Sequence, residues 1–297
     1  MPQGEDSTVN FTRRHFSLAA GATLAAGETA LAQSGKVTAQ QVIDRIQKQL
    51  ADAGVAWKTP TRDVFKAGDP GTEVTGIATT VMSTLSILQR AAKAGRNLII
   101  THEPTFWSDG DGTQELANDA VYRFKADFIR KNNLVVWRFH DHWHAKKPDA
   151  MMAGLAQDLG WTEAADAKRT YNIRPTTLGA VVKDMQERLK FRAIRVIGNP
   201  DTKISKGALS VGATSLQAVL RGMPEVDLYV AGEPREWEGP EYAQDAVAMG
   251  QNKAMIMIGH QNSEDPGMRL CADWLKTFVT EVPVEWIPTS DPFWRPA

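Results

Sequence analysis

The stretch Asn97-Leu98-Ile99-Ile100-Thr101-His102-Glu103-Pro104 sets the frame for the whole chain. A short run of consecutive apolar residues ending in a β-branched threonine has the length and character of a strand buried on both faces, as in a parallel sheet. His102 and Glu103 follow at once, and Pro104 breaks the strand just beyond them. In α/β proteins ligand sites lie at the carboxyl ends of strands, so one stretch marks both a layer and a candidate site.

Outward from it, strand-length apolar runs alternate with helix-period segments. Upstream, Thr38 to Val55 reads as a helix, with Thr38 and Gln41 spaced as a capping box and Val42, Ile43, Ile46 and Leu50 on one face. A strand at Val74–Thr79 and a helix near Leu85–Ala94 precede the opening stretch. A longer helix near Glu115–Lys131, a strand at Leu134–Phe139 and a helix near Ala150–Leu159 follow it. After Thr176 the pattern restarts with a helix to about Leu189, strands at Ala193–Ile197 and Ala208–Val211, and a helix at Ser215–Gly222. A strand at Asp227–Val230, a helix near Tyr242–Gly250, a strand at Ala254–Ile258 and a helix from about Asp265 to Phe278 complete the series. Such alternation predicts an α/β fold. An internal echo divides it into two lobes, expected at 36–165 and 166–297. Glu103-Pro104-x-x-Trp107 and Glu233-Pro234-x-x-Trp237 each follow a helix and a strand.

The first residues belong to another process. Arg13 and Arg14 precede a mildly apolar, Ala- and Gly-rich run that ends at Ala30-Leu31-Ala32, a small-x-small cleavage pattern. Residues 1–32 resemble a twin-arginine export signal, which implies a periplasmic mature protein and carriage across the membrane in the folded state. A membrane anchor needs about 18 or more strongly apolar residues, and Glu28 interrupts this run. Removing the leader takes Arg13 and Arg14 from 34 basic residues and Glu5, Asp6 and Glu28 from 35 acidic ones, leaving 32 of each. A neutral chain lacks the basic stripe of a nucleic-acid binder and the polybasic run of a lipid binder. The lone Cys271 forms no internal disulfide and reads as a packed core thiol on the closing helix.

Five of the six histidines fall in three short motifs: Thr101-His102-Glu103-Pro104, His140-Asp141-His142-Trp143-His144 and Gly259-His260-Gln261-Asn262-Ser263-Glu264. A single histidine is more often a surface or core residue. Clustering beside carboxylates at strand ends points instead to a metal centre. His260 and Glu264 are four apart, so both can reach one ion if the chain turns into the helix expected near Asp265. Of the three histidines at 140–144, one or two are expected to ligate and the rest to be solvated loop residues. Glu233, presented by the proline that follows it, is either a partner of the site or a turn carboxylate capping the next helix.

In order, these motifs resemble the Nif-three-like dinuclear metal-centre family, also described as GTP cyclohydrolase I type 2 homologues. The resemblance runs over about residues 36–288 and is most specific at Gly259-His260 to Glu264. It implies two similar α/β lobes with mixed sheets flanked by helices, a site for two metal ions between them, and a toroidal homohexamer. His102, Glu103, His144, His260 and Glu264 are then the ligands, with Glu264 bridging. His140 serves as general acid or base alongside Glu264, and Glu233 and Arg235 meet the substrate. Family members carry a second histidine where this chain has Glu103, and an aspartate where it has His144. The two exchanges offset each other, keeping three imidazoles and two carboxylates. Such a set suits zinc, iron or manganese. Two divalent ions with two carboxylates leave a formal charge of +2, which favours a bridging hydroxide and a small anionic substrate, a phosphoester or cyclic amide. The expected function is metal-dependent hydrolysis. The alternative is a noncatalytic metal-binding or partner-assembly protein, since a shared fold does not fix a reaction. No Gly-x-Ser-x-Gly elbow is present, and Cys271 has no histidine in its own segment.

Overall fold

The computed structural model describes residues 36–165, 169–190, 194–289 and 292–293. The expected export signal, residues 1–32, lies outside them. In chain order the elements begin α1 Ala39–Asp52, β1 Phe65–Ala67, β2 Ile77–Thr80, α2 Leu85–Lys93, β3 Leu98–Thr101, α3 Ala120–Lys131, β4 Val135–Arg138, α4 Asp141–Ala145 and α5 Ala150–Leu159. They continue with β5 Thr162–Glu163, β6 Thr170–Thr177, α6 Leu178–Leu189, β7 Arg195–Ile197, β8 Lys203–Thr214, α7 Leu216–Gly222 and β9 Leu228–Pro234. Last come α8 Gly239–Ala248, β10 Ala254–Met257, α9 His260–Lys276 and β11 Val284–Trp286.

Two mixed sheets carry the fold, in the orders β1-β4-β3-β2-β11 and β5-β6-β8-β9-β10-β7. Parallel strands form the centre of both: β11, β2, β3 and β4 in the first, with β11 at its edge, and β8, β9 and β10 in the second. The remaining pairings are antiparallel: β1 on β4, β6 on β8, β5 on β6 at the sheet edge, and β7 on β10. The first sheet takes β11 from beyond residue 166, so its outer parallel strand comes from near the end of the chain.

Helices flank both sheets because the parallel strands are apolar on both faces. Successive residues of β3 alternate sides: Leu98 and Ile100 join Val42, Ile46 and Leu50 of α1, whereas Ile99 joins Ile87 and Leu88 of α2 and Ile129 of α3. In the second sheet Leu228, Val230 and Ile256 face Leu155 and Val181, while Tyr229, Met255 and Met257 face Val219 and Ala243. The capping box of α1 forms as expected: Thr38 Oγ1 accepts from Gln41 N at 3.3 Å and Gln41 Oε1 accepts from Thr38 N at 2.9 Å.

Three boundaries differ from expectation in ways that bear on the site. The helix expected from Glu115 starts at Ala120, where Asp119 accepts from Tyr122 N at 2.8 Å. The closing helix starts at His260, five residues before the expected Asp265, and carries Pro266 inside it. Residues 141–145 form the short helix α4 instead of a loop. Cys271 is fully buried, as the sequence implies.

α5 and α9 cross at their smallest residues. A methyl group built on Gly154 would lie 2.6 Å from backbone atoms of Pro266 and Gly267, and one built on Gly267 would lie 2.7 Å from the Met151 backbone. This closeness holds α9, with His260 and Glu264, against the start of α5. Gly154→Ala is therefore expected to cost about 1–3 kcal/mol through overpacking, despite the better helix propensity of alanine. Thermal unfolding checks this. A melting temperature equal to or above that of the parent chain would remove the crossing as a constraint.

Candidate metal centre

The first histidine sits where the opening stretch predicts. Beyond β3, His102 N and Glu103 N continue to donate to Thr80 O at 3.1 Å and Val81 O at 2.8 Å, so both residues are pinned to β2. His102 is fully buried, and its Nδ1 donates to Phe139 O at 3.0 Å. That bond places the proton on Nδ1 and leaves the Nε2 lone pair directed away from the carbonyl. Glu103 divides its two oxygens. Oε2 pairs with the buried Arg138 guanidinium at 3.1 Å, and Oε1 lies 3.2 Å from His260 Nε2 and 3.8 Å from His140 Nε2.

The second motif is built by a residue far away in sequence. Asp63 accepts from the backbone N–H groups of His140 at 2.6 Å, Asp141 at 2.9 Å and His142 at 2.9 Å. It thus supplies from outside the carboxylate that a helix N-terminus favours. The turn so stabilised puts His140 and His144 four residues apart on one face. Their ring centroids lie 4.5 and 5.0 Å from that of His102, and 5.0 Å from each other. His142 faces the other way. Its Nδ1 donates to Asp63 Oδ2 at 2.7 Å, its Nε2 accepts from Lys58 N at 2.9 Å, and its ring stacks on Trp57. It is buried and fully engaged, which corrects the expectation of a solvated loop residue.

The third motif is the first turn of α9. His260 and Glu264 stand one turn apart, and a bulge in β8 makes room for them. Between Ser210 and Ala213 the register of β8 against β9 shifts, with Gly212 at φ +62°. A side chain there would be strained, and its Cβ would lie 2.2 Å from Glu264 Oε1. Ser263 ties the bulge to the helix, accepting from Gly212 N at 2.8 Å and donating to His260 O at 2.6 Å.

Four of the five histidines among the described residues thus converge with two glutamates. Glu264, 2 % exposed, lies between His102, at 3.6 Å from Oε1, and His260, at 3.3 Å from Oε2. In each of the four imidazoles an oxygen engages Nδ1: Phe139 O for His102, Asp141 for His140, Asp149 for His144 and Glu233 for His260. Metal-ligating histidines are held in this way, with Nε2 left for the ion. Buried His102 Nε2 and Glu264 Oε2 have no hydrogen-bond partner. Two groups of donors come close enough to hold a cation: His102, His140 and His144, and His102, Glu103 and Glu264. Orphaned donors and a mixed nitrogen and oxygen set fit a divalent transition metal.

Charge explains why a cation belongs there. Burial works against a charged His260, yet the Glu103 and Glu264 carboxylates outweigh it and push its pKa up to about 11. Burial opposes a charged His102 too, and Glu264 and Glu103 again raise it. Glu264 and Glu103 are lowered by these imidazoles although burial alone would raise them. His140 is pushed down to about 4 by burial and by its histidine neighbours.

The other expected residues divide. Glu233, at the carboxyl end of β9, holds His260 Nδ1 at 2.8 Å, so both glutamates of the internal echo meet on one imidazole. Arg235 is exposed and pairs with Glu238 at 3.0 Å. Asp63, Asp149, Gly212 and the buried Arg138 complete the site without belonging to any of the three motifs. Asp149, five residues from His144, carried a local signal. Asp63 and Gly212 carried none.

Residues 63–292 match the family model described as Duf34/NIF3 (NGG1p interacting factor 3). The chain is 25 % identical over 217 residues to a "GTP cyclohydrolase 1 type 2 homolog" of Clostridium acetobutylicum, covering 68 % of this chain and 76 % of that protein. A Chlamydia pneumoniae protein of the same description is 22 % identical over 242 residues, covering 77 % and 90 %. In fold, a Staphylococcus aureus hypothetical protein superimposes with a TM-score of 0.69 at 18 % identity, over 88 % of this chain and 99 % of that one.

Two outcomes follow from the geometry. Because His260 stays protonated up to about 11, a metal that takes its Nε2 at pH 7 must displace a proton. Zinc affinity is expected to rise from pH 6 to pH 8, with about one or more protons released per chain. Titration calorimetry in buffers of different ionisation enthalpy reads that number, and zero release would contradict the assigned charge state. Gly212→Ala is expected to lower zinc content by forcing Glu264 aside. Full loading of that variant would show that the bulge does not shape the centre.

Proposed function

The chain belongs to the Duf34/NIF3 family, and we propose that it is a dinuclear metal-dependent hydrolase acting on a small anionic substrate, a phosphoester or a cyclic amide. The observation that carries this is the placement of Glu264, one oxygen toward His102 and the other toward His260, as a carboxylate shared by two ions requires. His102, His140 and His144 would hold one ion and Glu103 and His260 the other, with Glu264 placed to serve both. His140 would then be a ligand and not the proton carrier, since it stands in the imidazole cluster with its Nδ1 on Asp141.

Two divalent ions, zinc, iron or manganese, would supply Lewis acidity for water and for the substrate's phosphoryl or carbonyl oxygen. The chain's own residues do the rest. Asp149 and Glu233 fix the faces of His144 and His260, and Arg138 neutralises one oxygen of Glu103 so that a single oxygen is presented. A cleft of about 710 Å³ reaches His144 and Asp149 and is lined by Arg169 and Arg221, two exposed guanidinium groups that suit an anion. The cyclohydrolase description of the two relatives accords with hydrolysis. In this proposal the mature chain works in the periplasm as a homo-oligomer, hexameric in form.

Elemental analysis of the purified mature protein is expected to find close to two divalent ions per chain. Glu264→Gln is expected to lose metal and to abolish hydrolysis across a panel of phosphoesters and cyclic amides. A single ion per chain would break the dinuclear assignment. Tight loading with no turnover on any member of the panel would favour the noncatalytic metal-binding alternative.

A further inference from the structure

α3 packs Tyr122, Phe128 and Ile129 on the core but buries a lysine and leaves part of its apolar surface in solvent. Its buried positions are Lys125 and Ile129, while Val121 and Phe124 stand 63 % and 60 % exposed. An amphipathic helix normally buries its apolar residues and leaves lysine in solvent. Here the lysine is drawn in by Thr105 O, to which its Nζ donates, and lies 5.4 Å from the centre of the Trp107 ring. Trp107 is itself 55 % exposed and adopts φ +63°, a conformation that costs a bulky residue about 1 kcal/mol or more. An indole, a valine and a phenylalanine thus stand outward beside a buried cation.

These side chains line a cavity of about 620 Å³, together with Met82 and Leu85. The volume lies in the range of small-molecule sites, roughly 300–1,000 Å³. Glu103 and His260 line it as well, so the cavity is continuous with the candidate centre. The cleft bearing Arg169 and Arg221 opens on His144 instead, and the two approaches differ in chemistry.

We infer that this cavity takes the non-reacting part of the substrate: an apolar, ring-bearing body whose single oxygen-bearing polar end reaches Glu103 and His260. The inference rests on the hydrolase reading for the identity of that end and narrows it to amphipathic substrates. Free inorganic phosphate or a sugar phosphate would leave Met82, Leu85, Val121 and Phe124 in water and gain nothing from them.

Equilibrium dialysis of the metal-loaded protein against 2-naphthoate and against acetate tests this, with metal content measured on the same samples. The expected result is 2-naphthoate binding at least tenfold tighter than acetate. Val121→Asp and Phe124→Ser are each expected to weaken 2-naphthoate about tenfold at unchanged metal content. Both side chains are exposed, so both variants should fold, and circular dichroism checks that they do. Equal affinity for the two probes, or no effect of either variant, would overturn the inference while leaving the metal centre untouched. A chain that binds no metal yet keeps the naphthoate preference, sensitive to both variants, would retain the apolar site and remove the metal reading. If Val121→Asp dissociates an oligomer and naphthoate binding does not change, the face is a contact between copies of this chain and the inference fails.

Discussion

A buried carboxylate must be compensated, and Glu264 sets the terms for everything around it. Taking an isolated carboxylate out of water costs several kcal/mol, so it persists only beside positive charge. Glu264 meets two imidazoles and little else, and one of its oxygens accepts no hydrogen bond. The bulge at Gly212, the Ser263 tether and the crossing at Gly154 are the arrangements that let α9 deliver this group into the cluster. Protons on His102 and His260 satisfy it in one state, and a divalent ion would satisfy it in another.

The exchange of ligand types looks different once Arg138 is in view. A carboxylate at 103 brings a negative charge where a histidine would be neutral, and a fully buried guanidinium bonded to His102 O absorbs part of it. Glu103 is left with one oxygen toward the cluster, the same number of donors an imidazole would offer. At 144 the reverse holds: His144 is held by Asp149, so a carboxylate stands behind the imidazole instead of in its place.

Two approaches lead to the cluster, and their linings differ. Arginines border the one that reaches His144, and apolar side chains border the one that reaches Glu103 and His260. A centre placed between them can hold an anionic group and discriminate on the apolar body attached to it.

Much of this was legible in the chain itself. Consecutive apolar runs identified β2, β3, β4, β9 and β10, because a strand buried on both faces needs no partner to betray it. Histidines beside carboxylates at strand ends marked the three motifs as one candidate centre, and the family resemblance picked out His102, Glu103, His144, His260 and Glu264 within them. What stayed hidden depends on long-range contact. β6 and β11 are polar or short and are strands only through the pairing they make. α4 exists because Asp63 caps it from 77 residues away, so no local pattern separates the inward His140 and His144 from the outward His142. The sequence determined which groups could bind a cation. Only tertiary structure decided which way each nitrogen faces, since the oxygens that hold the Nδ1 atoms come from elements scattered along the chain.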